Sequence, residues 1–454
     1  MIKKTIPLLL AVVSILSLFG CHRQDQMETS PTTRPITLTQ VTTPTATQPT
    51  VPAQATTQTQ PPTTQPTIPS TEAPTKPTET APTVDPATVW TPLCESYINM
   101  RKTPGGSLLT TVPVGAKLIL QKWYEKHALV TYGDLQGYVS AGYIQPTEKD
   151  YFAKRLQVVT PTSRYTYQQM LTDLDKLQAL YPNLVQIGSI GKSELGRDIP
   201  VVRVGDPNAK YHVIIQGSMH AREHFTTWLI MAITDYTLSQ NQASLGNVCY
   251  HMIPMVNPDG VIISQRESLD TTQTAIYQRD LAQGYTSAGE AYYAQQWKAN
   301  ALGVDLNRNF PSGWDASLEH SQPSSERYRG ESPLSAAESK ALADYTRSRH
   351  FDATISMHSF GSVLYYQYGS KQPVNTLSYS FALAVEKATG YIPVESDGTT
   401  GAGYKDWAMD ELGIPSLTVE VGSSQPPLDS RELYNTFARF EGFLPAISAW
   451  LTKQ

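Results

Sequence analysis

Residues 31–88 restrict the chain's folding more than any other segment: of these 58 positions 21 are Thr, 13 are Pro and none is aromatic. Such a stretch cannot bury enough apolar surface to offset the entropy lost on ordering it. Its prolines bias it towards extended polyproline II, so residues 21–89 are expected to form a disordered Thr/Pro stalk. Foldable sequence begins beyond it, at Val89-Trp90. The 454 residues carry a net charge of −5. Without a basic excess to offset phosphate charge, no nucleic-acid partner is expected. Three cysteines are too few for a disulfide framework and show neither CxxC nor zinc-finger spacing, so Cys94 and Cys249 read as small buried apolar groups.

Ahead of the stalk, Lys3 and Lys4 precede an apolar run, residues 6–18, ending in Leu18-Phe19-Gly20-Cys21. The run is short for a membrane span and has the layout of a secretory signal. Its ending resembles a bacterial lipoprotein box, with Phe19 bulkier than the usual residue. The resemblance implies a signal over residues 1–20, a lipid on Cys21 that contacts the membrane, and an extracytoplasmic, lipid-anchored protein. If Cys21 is not lipidated, the signal implies secretion. A stalk next to a lipid would hold the folded part away from the membrane, and such a spacer also suits passage through a cell wall.

Residues 90–148 alternate apolar and polar positions between turn signals, as in Tyr97-Ile98-Asn99-Met100-Arg101, Lys117-Leu118-Ile119-Leu120 and Ala128-Leu129-Val130-Thr131-Tyr132. This pattern predicts a small β-barrel. Ile98-Asn99-Met100-Arg101 and Gly137-Tyr138-Val139-Ser140 resemble the bacterial SH3-like family, which implies contact with cell-wall peptides or glycans. A packing or spacer role is the alternative, because fold alone does not fix function.

Residues 155–454 mix helix and strand signals. Thr166 with Gln169 has capping-box spacing, and Met170, Leu171, Leu174 and Leu177 share a helical face. Val213-Ile214-Ile215 reads as a buried strand and residues 225–238 as the following helix. Ile355-Ser356-Met357 and Leu417-Thr418-Val419 are further strands. The alternation predicts an α/β domain with its ligand beyond the carboxyl ends of the strands.

His220-Ala221-Arg222-Glu223-His224 falls between the first of these strands and its helix. Zinc takes imidazole nitrogen and carboxylate oxygen at about 2.0–2.2 Å, and catalytic sites hold three protein ligands. His220 and Glu223, three apart at a loop-to-helix junction, can reach one ion. The same residues also read as H-x-x-E-H, with His220 and His224 as ligands and Glu223 as base. That reading needs the motif inside a helix, which Gly217-Ser218 disfavours.

Five segments together resemble the zinc carboxypeptidase family: His220-x-x-Glu223, Asn257-Pro258-Asp259-Gly260, Gly303-Val304-Asp305-Leu306-Asn307-Arg308-Asn309, Ser356-Met357-His358-Ser359 and Thr418-Val419-Glu420-Val421. The resemblance implies a mixed β-sheet flanked by helices and one Zn2+ held by His220, Glu223 and His358. It makes Asp305 the carboxylate that orients His220, and Asn307, Arg308 and Arg222 the residues that grip substrate. Glu420 becomes the general base that takes a proton from water and passes it to the leaving amine. The sequence supports that role, because Glu420 interrupts an apolar strand where an ionisable group without a task is costly. Where family members carry an arginine after a tryptophan, Trp297 is followed by Lys298, which would supply the oxyanion's cation. Arg266 is a second candidate.

Two departures bear on substrate. The family's mobile tyrosine falls on Gly398, with Tyr404 or Tyr391 as possible substitutes. Lys405, just before Asp406-Trp407, takes the side-chain-pocket position, where an ammonium would attract a second acidic group. With Trp297-Lys298-Ala299-Asn300, these features resemble the bacterial branch that cuts the γ-D-glutamyl–diaminopimelate bond of cell-wall stem peptides, Arg308 holding one carboxylate and Lys405 the other. The alternatives are an extracellular carboxypeptidase releasing C-terminal Glu or Asp, and an inactive wall-binding lipoprotein. Loss of a ligand or the base would signal the latter, and neither is lost.

Overall fold

The computed structural model describes residues 89–92, 96–124, 126–147, 151–317, 320–395 and 401–454. The signal, Cys21, the stalk up to residue 88, Cys94 and Gly398 lie outside them, whereas Val89, expected at the stalk's end, opens the first strand. Among the described residues no helix is long and apolar enough to cross a membrane.

Seven short strands form the first sheet: β1 (Val89–Pro92), β2 (Tyr97–Arg101), β3 (Leu108–Pro113), β4 (Leu118–Trp123), β5 (His127–Tyr132), β6 (Leu135–Ser140) and β7 (Ile144–Pro146). Their order is β3-β2-β6-β5-β4-β1-β7, with every pair antiparallel. Alternation sends Ile98, Met100, Ala128, Val130 and Val139 to one buried face, as a period of two requires. The buried face also docks on the rest of the protein. Trp90 meets Tyr434 edge-on, with ring centroids 4.8 Å apart, so the two parts share one hydrophobic core.

The second sheet holds β8 (Val185–Lys192), β9 (Asp198–Val204), β10 (Tyr211–Gln216), β11 (Val248–Ile253), β12 (Ala353–His358), β13 (Val363–Tyr365), β14 (Ile392–Val394) and β15 (Ser416–Glu420), in the order β14-β13-β15-β12-β10-β11-β9-β8. The central run β15-β12-β10-β11 is parallel, while β13 joins β15, and β9 joins β11, antiparallel. Strands β11 and β12 are buried at every position, as expected where helices cover both faces. One face, through Val213, Ile215, Ile355 and Val419, packs on α2 (Phe225–Gln240), α7 (Val374–Thr389), α9 (Glu432–Phe440) and α10 (Phe443–Leu451). The other, through Ile214, packs with α6 (Ala337–Arg347) and α8 (Tyr404–Leu412).

Helix α1 (Tyr167–Leu180) begins at Thr166, whose side chain accepts the Gln169 N–H at 3.1 Å; the Gln169 amide turns to Asp173 instead of completing the box. From β10 the chain passes to β11 on one side and later returns to β12 on the other. That switch point, beyond the strand carboxyl ends, is where an open α/β sheet offers a crevice.

Candidate active site

Three parallel strands deliver the site. Beyond β10, Gly217 lets the chain pass close to α2, where a Cβ would meet Ile230 Cδ1 at 2.8 Å and Thr226 Oγ1 at 2.9 Å. His220 follows in extended conformation (φ −88°, ψ 127°), and residues Ala221–Glu223 make one 3-10 turn. The motif therefore spans a loop and a turn. His224 lies outside the cluster: its ring is buried beside Arg164 and Ser163, and burial lowers its pKa to about 4. This geometry overturns the reading with His220 and His224 as paired helical ligands.

Strand β12 ends on His358 and β15 on Glu420, and the two residues are register partners. His220 Nδ1 lies 2.9 Å from Glu223 Oε1, His358 Nδ1 lies 3.0 Å from Glu223 Oε2, and the two Nδ1 atoms are 3.0 Å apart. Two imidazole nitrogens that share a carboxylate at this spacing present lone pairs to a common point. A tetrahedral zinc with bonds of about 2.0–2.1 Å requires donors about 3.3 Å apart, so this set of two nitrogens and a carboxylate fits the ion. Burial would raise the Glu223 pKa, but His220 and His358 hold it well below the usual carboxylate range. The Ser359 N–H also donates to Glu223 Oε2, at 3.2 Å, a support that no sequence motif marks.

Asp305 is fully buried behind His220, its Oδ1 3.2 Å from His220 Nε2 but off the line of a well-formed hydrogen bond. Its oxygens accept the Asn307 and Arg327 N–H groups, and Lys298 Nζ stands 3.7 Å from Oδ2. Burial opposes ionisation of Asp305, yet Lys298 and His220 keep its pKa well below the usual range. Burial pushes the Glu420 pKa up to about 7; His358 and Lys298 work against the rise and Glu223 adds to it. Lys298 thus acts on both carboxylates. Arg266, by contrast, is exposed at the end of α3 (Pro258–Arg266), whereas Lys298 and Arg308 both act on Asp305.

Asn307 Oδ1 accepts the Tyr404 N–H at 3.1 Å, which ties the Asn307-Arg308 turn to the start of α8. Arg308 donates to the Asn307 carbonyl, and Arg222 donates to the Gln296 carbonyl and faces Glu326 at 3.5 Å. Lys405, expected at the side-chain pocket, is paired within the protein. It is buried, with Nζ 2.5 Å from Asp406 Oδ1 and 2.7 Å from the Gln367 carbonyl. Neither proposed tyrosine replaces the family's mobile one: Tyr404 is buried with its hydroxyl on Thr346, and Tyr391 is buried with its hydroxyl accepting the Gly422 N–H. Asn257-Pro258-Asp259-Gly260 is structural here. Asn257 caps α3 and donates to the Met219 and Ala299 carbonyls, and Asp259 binds Arg197 at 2.5 Å.

A His-Glu-His cluster at the switch point of a mixed α/β sheet, with an elevated carboxyl and a lysine beside it, defines a zinc-dependent hydrolase. The zinc carboxypeptidase (peptidase M14) family model matches residues 170–447. The chain is 34% identical over 291 residues to gamma-D-glutamyl-L-diamino acid endopeptidase 1 of Lysinibacillus sphaericus, covering 61% of this chain and 70% of that protein. It is 28% identical over 287 residues to the uncharacterised protein YqgT of Bacillus subtilis, covering 60% and 74%. Bovine thrombin-activatable fibrinolysis inhibitor shares the fold, with a TM-score of 0.51 and 22% identity over 67% of this chain and 99% of that one. The chain belongs to the zinc carboxypeptidase family and is a zinc metallopeptidase.

Proposed function

We propose that this peptidase hydrolyses the γ-D-glutamyl bond to a diamino acid in bacterial cell-wall stem peptides. The observation that carries this reading is the 34% identity, across the catalytic region, to an enzyme named for that bond. His220, Glu223 and His358 would hold the zinc, which would supply Lewis acidity towards a carbonyl and a water. Glu420, with its pKa near 7, takes the water's proton and gives it to the leaving amine. The Lys298 ammonium offers positive charge to the developing oxyanion. Asp305 orients the His220 ring. Asn307, Arg308 and Arg222 receive the substrate carboxylate, for which the planar guanidinium fork suits two oxygens.

The Lys405–Asp406 pair refines the reading of the side-chain pocket. The far end of diaminopimelate carries both an ammonium and a carboxylate. A lysine beside an aspartate complements that zwitterion group for group, whereas a plain acidic side chain would have to displace Asp406 from Lys405.

The antiparallel sheet of residues 90–148 is read as an SH3-like wall-contacting domain, followed by the catalytic domain over 155–454. An exported, lipid-anchored protein with Cys21 at its membrane end and residues 21–88 as stalk would meet such a substrate outside the cell. Mass spectrometry of zinc-loaded protein incubated with L-Ala-γ-D-Glu-meso-diaminopimelate, beside Glu420→Gln, should show diaminopimelate released only by the unmodified protein. Release of Glu from an α-linked peptide instead would make the protein a carboxypeptidase for acidic ends.

A further inference from the structure

A second cluster of metal-type donors stands at the opposite, amino-terminal ends of β10 and β11. His212 and Cys249 are register partners there, and His251 follows Cys249 by two residues, so all three side chains project from one sheet face. One ring nitrogen of each histidine and the Cys249 sulfur lie within 4.8 Å of one another. His212 Nδ1 is 3.0 Å from His251 Nε2, the same separation as between the two histidines of the catalytic cluster.

The remaining edge of each ring is engaged. His251 Nδ1 lies 2.6 Å from the Tyr345 hydroxyl, and His212 is hydrogen-bonded to the backbone of Ala209. Outer partners of this kind fix ring orientation and tautomer at metal sites.

We propose that His212, Cys249 and His251 bind one closed-shell soft or borderline cation, zinc in the first place, as a staple between β10 and β11. Two imidazoles and a thiolate are a donor set that zinc accepts, and the partly exposed side of His212 provides entry and a fourth position for solvent. Zinc binds sulfur as the thiolate, so binding must release the Cys249 thiol proton. Arg203, opposite His251 on β9, and Arg349 also face the cluster, with Asp206 and Asp352 near them. The guanidiniums favour the thiolate but oppose a dication, so this site should fill after the catalytic one.

The test is titration of the metal-free full chain with Zn2+ and with Co2+. Two equivalents are expected. The cobalt form should show thiolate-to-metal charge-transfer absorption, which the sulfur-free catalytic cluster cannot give. Cys249→Ser should abolish that absorption and one equivalent, and His251→Gln should do the same. His220→Ala with His358→Ala should remove the other equivalent and keep the absorption, whereas Cys21→Ser with Cys94→Ser should keep both equivalents and the absorption. Circular dichroism confirms that each variant is folded. A single equivalent in the parent protein overturns the proposal, as does an absorption that survives Cys249→Ser in folded protein.

Discussion

Replacing Asp305 by asparagine keeps the size of a fully buried side chain while removing its charge and turning one acceptor into a donor. Four groups surround that carboxylate: the Asn307 and Arg327 N–H groups, His220 Nε2 at 3.2 Å and Lys298 Nζ at 3.7 Å. All four present hydrogen to oxygen when the His220 Nε2 carries its proton and Nδ1 faces the metal. An amide NH2 in place of either oxygen must therefore face two of them, and Lys298 loses one of the two carboxylates it acts on. Loss of such an outer partner costs about 10–100-fold in metal affinity, or about 1.4–2.7 kcal/mol. The misdirected donor adds about 1–3 kcal/mol against folding. Competition with a chromogenic chelator should show weakened zinc binding, and thermal unfolding of the metal-free form should shift downward. Unchanged zinc affinity in a cooperatively folded Asp305→Asn protein would refute the view that this carboxylate orients His220.

Glu420→Gln should lower kcat by about 10²–10⁴-fold while zinc content, measured by elemental analysis, stays the same. Glu338 is fully buried against Asn300 and the Glu194 N–H, with its pKa pushed by burial from 4.5 to about 7. Its folded-state pKa is raised, so its contribution to stability is full below pH 4.5 and is lost as pH rises through 7, a change of roughly 3 kcal/mol. Denaturant unfolding across that window should show this slope, and Glu338→Gln should flatten it. Trp90→Ala, which empties the contact with Tyr434, should cost about 3–5 kcal/mol and separate the amino-terminal sheet's unfolding from that of the larger body in calorimetry.

The catalytic cluster was legible because its spacing is local. A strand, a Gly-Ser break and H-x-x-E were enough to place His220 and Glu223, and an ionisable group ending an apolar strand marked Glu420. The five-segment resemblance then supplied His358 and Asp305, which no periodicity connects to the first motif. Strand β11 is harder to read, because His251 interrupts its apolar pattern although every position is buried. The partners of Lys405 are not legible from the sequence for a physical reason: beside its chain neighbour Asp406 it donates to the carbonyl of Gln367, which only the fold brings near. Tyr391 and Tyr404 look available by spacing, and burial removes both. The Ser359 and Arg327 N–H groups that brace the carboxylates are backbone atoms, so side-chain identity carries no trace of them.

The in-register pairing of His358 with Glu420 makes the sheet a ruler. Neighbouring strands lie about 4.8 Å apart whatever side chains they carry. The gap between a metal ligand and the group that moves protons is therefore set by backbone geometry and is inherited whenever the two strands pair. His220, four residues past the end of β10, hangs instead from a loop. One leg of the tripod can thus be retuned by sequence change in that loop, while the spacing that governs proton transfer stays calibrated by the fold itself.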